Sequence, residues 1–195
     1  MNTRTKKIKK EVIEWAVLLT VGGTIYLFGW HTFIIGKLQQ LFLSSGVIQA
    51  SELKETRFAS YDFYLEDFDG NPVDFKTMQD EVVFLNFWAT WCPPCIAEMP
   101  DIHNLFEEKG EEVRFVMISL DKNREKAKAF IENKGYRFPT YFLRSDLPSS
   151  YDTHSIPTTY LLGKAGRIRV ENHGMAKYNT AKFKKLMAEA LAEGG

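Results

Sequence analysis

The sequence predicts an α/β domain, a central mixed sheet flanked by helices, preceded by one N-terminal transmembrane helix. Three observations carry that expectation. A long uncharged apolar run, Trp15 to Ile35, follows a basic N-terminus. From Arg57 onward, short apolar strands alternate with helical segments. The only two cysteines, Cys92 and Cys95, sit two residues apart where a buried strand gives way to a helix.

The N-terminal element comes first. Arg4, Lys6, Lys7, Lys9 and Lys10 crowd the first ten residues with no acid among them. The run that follows spans roughly 30 Å as a helix, the thickness of a hydrocarbon core. Trp15 and Trp30 lie near its ends, where amphipathic rings favour the membrane interface. Basic residues before the span place the N-terminus in the cytoplasm and the rest of the chain outside it. A cleaved signal peptide is the competing reading. Its apolar region is normally shorter, and only Ile48-Gln49-Ala50, far downstream, offers a weak cleavage motif. The expected organisation is a basic tail at 1–11, an anchor at 12–35, an amphipathic linker at 36–56 and a domain at 57–195. The expected location is the cytoplasmic membrane, single-pass, with the domain on the periplasmic, extracytoplasmic side.

Within the domain, Phe58 to Leu65 alternates like a strand and Asp69-Gly70-Asn71-Pro72 signals a turn. Val82–Phe87 and Val113–Leu120 are near-continuous apolar runs, suited to strands buried on both faces. Pro93–Lys109 and Glu125–Asn133 read as helices, the second closed by Lys134-Gly135. Thr158–Leu162 and Ile168–Glu171 flank a glycine-bearing turn as a hairpin. Asn179–Ala192 is a closing helix with Phe183, Leu186, Met187 and Ala190 on its inner side.

Composition excludes several classes. Lys plus Arg equals Asp plus Glu at 25 each, so no global charge draws the chain to nucleic acid. Two cysteines are too few for a disulfide-stapled scaffold or a structural zinc site. Position 96 is Ile, not the His of a haem-attachment motif. His31, His103, His154 and His173 make no metal spacing. No metal and no cofactor is expected. The two cysteines are expected to act on each other.

The stretch from Phe84 through Trp91-Cys92-Pro93-Pro94-Cys95, with Glu98 and Pro100 beyond, resembles the active-site segment of the thioredoxin superfamily, in particular its membrane-anchored TlpA-like and ResA-like members. Ile156-Pro157-Thr158 resembles that superfamily's cis-proline loop. The resemblance covers most of residues 57–195 and implies a thioredoxin fold and thiol–disulfide oxidoreductase activity. Cys92, at the helix N-terminus, is the expected exposed nucleophile, because the positive end of the helix favours a thiolate. Cys95, one turn inside, is the expected resolving thiol. Glu98 stands three residues on, on the same helical face. The resemblance makes it a proton acceptor for Cys95; a solvated acid serving the helix dipole is the alternative. Asn86 stands where thioredoxins proper carry a buried Asp, and it cannot take a proton. Trp91, Ile156 and Pro157 are the expected substrate contacts.

The expected partners are exported protein disulfides, a membrane electron donor protein and the membrane itself. Reduction of disulfides is favoured over oxidation or isomerisation, since Pro93 and Pro94 withhold two N–H donors from the Cys92 thiolate and no cation lies between the cysteines. A redox-inactive binding module is disfavoured by the intact cysteine pair. A thiol peroxidase would resemble its kind only with Thr at position 89, which is Ala.

Overall fold

The computed structural model describes residues 11, 13–17, 19–21, 23–24, 50, 52–53 and 55–193. Most of the expected tail, anchor and linker lies outside these residues. The described residues between 11 and 24 are helical and exposed. Among the described residues no helix is long and apolar enough to cross a membrane.

Seven strands form one mixed sheet: β1 Tyr64–Glu66, β2 Pro72–Asp74, β3 Val83–Trp88, β4 Arg114–Ser119, β5 Thr140–Leu143, β6 Thr158–Leu162 and β7 Ile168–His173, in spatial order β2-β1-β5-β4-β3-β6-β7. Among the described residues of the domain three α-helices accompany it: α1 Pro93–Lys109, α2 Arg124–Lys134 and α3 Ala181–Ala192. Strands β3, β4 and β5 are parallel, while β6 runs antiparallel to β3, β7 to β6, and β1 to both β5 and β2. The crossovers β3-α1-β4 and β4-α2-β5 step the same way across the sheet. Right-handed connections therefore put both helices on one face. Burial agrees: Met99, Ile102, Ile131, Phe183 and Met187 share a core with Phe84, Trp88, Phe115 and Met117. The alternate residues of the same strands, Val83, Leu85, Phe87, Val116 and Ile118, face the other way. Among the described residues no α-helix covers them. Tyr61, Phe63, the 3₁₀ turn Phe75–Met78 and Tyr151 do.

Local chemistry sets the boundaries. Asn123 caps α2 by accepting from the Lys126 N–H at 3.1 Å, and Gly135 closes it at φ +67, a left-handed cap that a side chain would strain. Thr180 caps α3 the same way through Phe183. Asp67 organises the β1–β2 turn by accepting from the Asn71 N–H at 2.8 Å.

Two elements depart from expectation. The Phe58–Leu65 strand is cut to Tyr64–Glu66, and β5 was not foreseen. Furthermore, packing reaches upstream of Arg57. Glu52 bridges Val170 and Phe58 bridges Arg167, both antiparallel, so this segment runs along the outer edge of β7. The Leu53 N–H donates to the Arg169 carbonyl at 2.8 Å, and Ala50 is buried in the helix-side core. The Arg169 side chain, 7% exposed, pairs with Glu52, Glu189 and Glu193 and ties this edge to the end of α3. His173 of β7 pairs with Thr158, and Thr158 pairs with Phe87 of β3. The N-terminal side of the edge segment thus points toward the sheet end that carries Cys92.

Candidate active site

Strand β3 ends at Trp88, and Ala89-Thr90-Trp91 turns the chain into α1. The Cys92 N–H donates to the Ala89 carbonyl at 3.2 Å, closing the turn. Cys92 is the N-cap of α1, with extended φ −102° and ψ 99°. Pro93 and Pro94 take the first two helical positions, where a missing N–H costs nothing. The next N–H, that of Cys95, donates to Cys92 Sγ at 3.3 Å. The prolines therefore withhold two donors, as expected, but a third is aimed at the sulfur. Cys92 and Cys95 are joined as a disulfide with Sγ atoms 2.06 Å apart.

The loop before β6 completes this side of the site. The Ile156–Pro157 peptide is cis, and the Ile156 carbonyl oxygen lies 3.6 Å from Cys92 Sγ. Thr158 Oγ1 donates to the Ser155 carbonyl at 2.6 Å, and Gly174 N–H to the Pro157 carbonyl at 2.8 Å, so both flanks of the loop are held. Trp91 is 54% exposed beside the disulfide, and Ile156 is half-buried. The structure thus brings Trp91, Cys92, Cys95 and Ile156-Pro157 together. One expectation is corrected: Cys92 is not exposed. It is 4% accessible, against 0% for Cys95, because its sulfur is enclosed by Cys95 and the Ile156 carbonyl.

Glu98 is fully buried, which removes the reading of a solvated dipole acid. Asn86 Nδ2 donates to its Oε1 at 2.9 Å, and the Ala176 N–H donates to its Oε2 at 3.1 Å. Burial outweighs these two donors and raises the carboxyl to about 8. Asn86 Nδ2 also donates to Thr159 Oγ1 at 2.8 Å, and the Tyr178 hydroxyl donates to the same oxygen at 2.7 Å. Burial pushes the Tyr178 phenol well above its ordinary value, so its proton stays in place to donate. Asn86 Oδ1 is buried without a partner. The Asn86 amide thus spends its NH₂ on Glu98 and Thr159 and acts here only as a donor. Asn86 was singled out in the sequence for what it cannot do. Its partners Thr159, Tyr178 and Ala176 were missed, because nothing local ties them to Glu98.

Two of the described histidines, His103 and His173, join aromatic and polar packing. His103 lies against Tyr136 and Phe138, and His173 Nδ1 is 3.2 Å from Thr158 Oγ1. Among the described residues no group of three or more His, Cys, Asp or Glu could hold a metal.

Comparison with known proteins gives the family and the fold likeness. Thiol-disulfide oxidoreductase ResA of Halalkalibacterium halodurans is 30% identical over 128 residues, 64% of this chain and 73% of that protein. Thioredoxin-like protein YneN of Bacillus subtilis is 32% identical over 111 residues, 55% of this chain and 65% of that protein. Among solved structures, a DsbE-type thiol:disulfide interchange protein of Chlorobium tepidum superposes with a TM-score of 0.61 at 24% identity, covering 71% of this chain and 99% of that one, a likeness of fold. Residues 59–171 match the AhpC/TSA family. The chain belongs to that family and is a thiol–disulfide oxidoreductase of thioredoxin-like fold.

Proposed function

We propose that the chain is a membrane-tethered reductase of disulfides in exported proteins, working through Cys92 and Cys95. The observation that carries the chemistry is the sulfur pair at the head of α1, with one sulfur beside the Ile156 carbonyl and the other sealed inside. In the reduced enzyme the Cys92 thiolate, steadied by the Cys95 N–H and the helix N-terminus, attacks one sulfur of a client disulfide. A Cys92–client bond forms, the client S–S bond breaks, and the first client sulfur leaves as a thiolate that takes a solvent proton. Cys95 gives its proton to the Glu98 carboxylate and attacks Cys92 Sγ. The mixed disulfide breaks, the second client thiolate departs, and the Cys92–Cys95 disulfide remains. Two electrons have passed to the client. Burial raises the Glu98 carboxyl to about 8, which makes its carboxylate a stronger proton acceptor for Cys95 than an ordinary one. Trp91 and the Ile156-Pro157 loop form the client-contacting rim.

The oxidised enzyme needs two electrons from a membrane dithiol protein. Support for a tether comes from the basic, then apolar, N-terminal sequence and from the edge segment. Within the described residues the edge segment runs, from Phe58 back to Glu52, toward the Cys92 end of the sheet, which suits a redox pair turned toward a membrane donor.

The direction of electron flow rests on modest thiolate stabilisation: one N–H donor reaches the sulfur, and no cation stands between the cysteines. The expected potential lies nearer the roughly −270 mV of thioredoxin than the roughly −120 mV of DsbA. Equilibration of the purified full chain with glutathione or dithiothreitol buffers measures it. A value above about −150 mV assigns the chain to disulfide oxidation instead.

A further inference from the structure

Apart from Glu98, a second buried carboxylate borders the active-site turn, and the mechanism above does not use it. Asp121 lies just past the end of β4 and is 8% exposed. Its Oδ2 accepts from the Thr90 N–H at 2.8 Å and from the Ser119 hydroxyl at 3.0 Å. Its Oδ1 accepts from the Thr90 hydroxyl at 2.6 Å. Three donors thus converge on one carboxylate, and two of them belong to Thr90. Thr90 is the midpoint of the turn that carries the chain from Trp88 to Cys92, and it is itself buried. The other ties on this turn are the Leu120 N–H to the Trp88 carbonyl at 2.8 Å and the Cys92 N–H to the Ala89 carbonyl. Without Asp121, nothing named here holds Thr90.

We propose that Asp121 is a positioning residue for the nucleophile. By gripping both polar groups of Thr90, it fixes the turn so that Cys92 Sγ meets the Cys95 N–H. Because Pro93 and Pro94 carry no N–H, that single donor is the main-chain support of the thiolate within the motif. A motif with other residues between its cysteines has donors to spare, whereas this one does not. A small shift of the turn therefore acts on the thiolate and not only on stability. The residue deepens the thiol–disulfide exchange assigned to Cys92 and does not depend on whether the enzyme reduces or oxidises its clients.

The test is the pH dependence of Cys92 alkylation by iodoacetamide in the reduced full chain, read by peptide mass mapping. Asp121→Ala should raise the midpoint by about one pH unit, cutting the thiolate at neutral pH about tenfold. Asp121→Asn is the discriminating variant. Its carbonyl accepts from the Thr90 N–H and its NH₂ donates to the Thr90 hydroxyl oxygen, so the grip survives and the negative charge does not. Its midpoint should equal the wild-type value or fall below it. Thr90→Val, which keeps the N–H contact and loses the hydroxyl contact, should shift the midpoint upward by less than Asp121→Ala. Should Asp121→Ala fail to fold, Thr90→Val decides. A wild-type midpoint in a folded Asp121→Ala or in Thr90→Val, or a midpoint raised equally in Asp121→Asn and Asp121→Ala, overturns the proposal. Loss of thermal stability alone would mark Asp121 as structural.

Discussion

At the residue scale, Glu98 has the most to lose from being charged. Its value near 8 is raised above the ordinary carboxyl value of 4.5 by burial. The native state therefore binds the proton more tightly than the unfolded chain does. The stability this gives is full below about pH 4.5 and is lost as pH rises through about 8. Glu98→Gln carries no such loss. It should match the wild type near pH 4 and exceed it by roughly 2–4 kcal/mol above pH 8, in urea unfolding at each pH. The same variant should slow client release, the step in which Cys95 gives up its proton, by about a hundredfold or more. Stopped-flow decay of a Cys92 mixed disulfide measures that step. A variant that gains stability without slowing release would make Glu98 a buried acid with no part in the chemistry.

At the scale of elements, α1 organises the site. Its N-terminus holds the cysteines, its inner face holds Glu98, and Asp101 reaches across to accept from the Tyr178 and Asn179 N–H groups at 2.6 and 2.8 Å. That last contact sets the segment that brings the Ala176 N–H to Glu98. The edge segment along β7 is held differently, by few backbone bonds and one buried guanidinium. Removing Arg169 takes its cation from Glu52, Glu189 and Glu193, of which Glu189 keeps Lys185 and Glu193 keeps Arg167. These carboxylates are well exposed, so the cost is moderated by solvent. Arg169→Ala should lower stability by about 1–3 kcal/mol and speed hydrogen exchange at the Leu53 amide at least tenfold, with the exchange of β3 amides changed only in step with global stability. Equal acceleration at β3 would show that Arg169 supports the whole domain and not this edge.

At the scale of the whole molecule, the proposal joins a basic N-terminus and an apolar span to a redox domain outside the cytoplasm. Protease added to intact spheroplasts should digest the domain and leave a short membrane-bound fragment. Protection until the membrane is lysed would reverse the topology. Digestion with no membrane-bound fragment would point to cleavage of the N-terminal segment. Outside the cytoplasm a dithiol is consumed by an oxidising compartment, so continued turnover requires electrons delivered through the membrane.

Much of the domain was legible before any tertiary contact. Helix α1 spans Pro93–Lys109 and β6 spans Thr158–Leu162, as read from apolar spacing, Pro at the helix start and Gly at its end. Trp91-Cys92-Pro93-Pro94-Cys95 and Ile156-Pro157-Thr158 marked the two halves of the site. All of these signals are local: caps, periods and short motifs lie within one turn or one strand. What stayed hidden depends on partners far along the chain. Strand β5 is only four residues long and has no period to read; its place comes from pairing with β4 and β1. Residues up to 56 read as linker, and only the open edge of β7 gives Glu52 its strand-like bridge. Asp121 follows the Val113–Leu120 run and belongs to no motif, yet its grip is on Thr90, just past the end of the neighbouring strand. Glu98 meets Ala176 from another loop, and Cys92 is closed over by Ile156. By itself the sequence singled out the candidate groups, Cys92, Cys95, Glu98, Trp91 and the Ile156-Pro157 loop, and the elements on which they stand. Their burial, and with it the protonation of Glu98 and the hold on the nucleophile, was decided by tertiary packing, because desolvation and long-range hydrogen bonds exist only once distant segments meet.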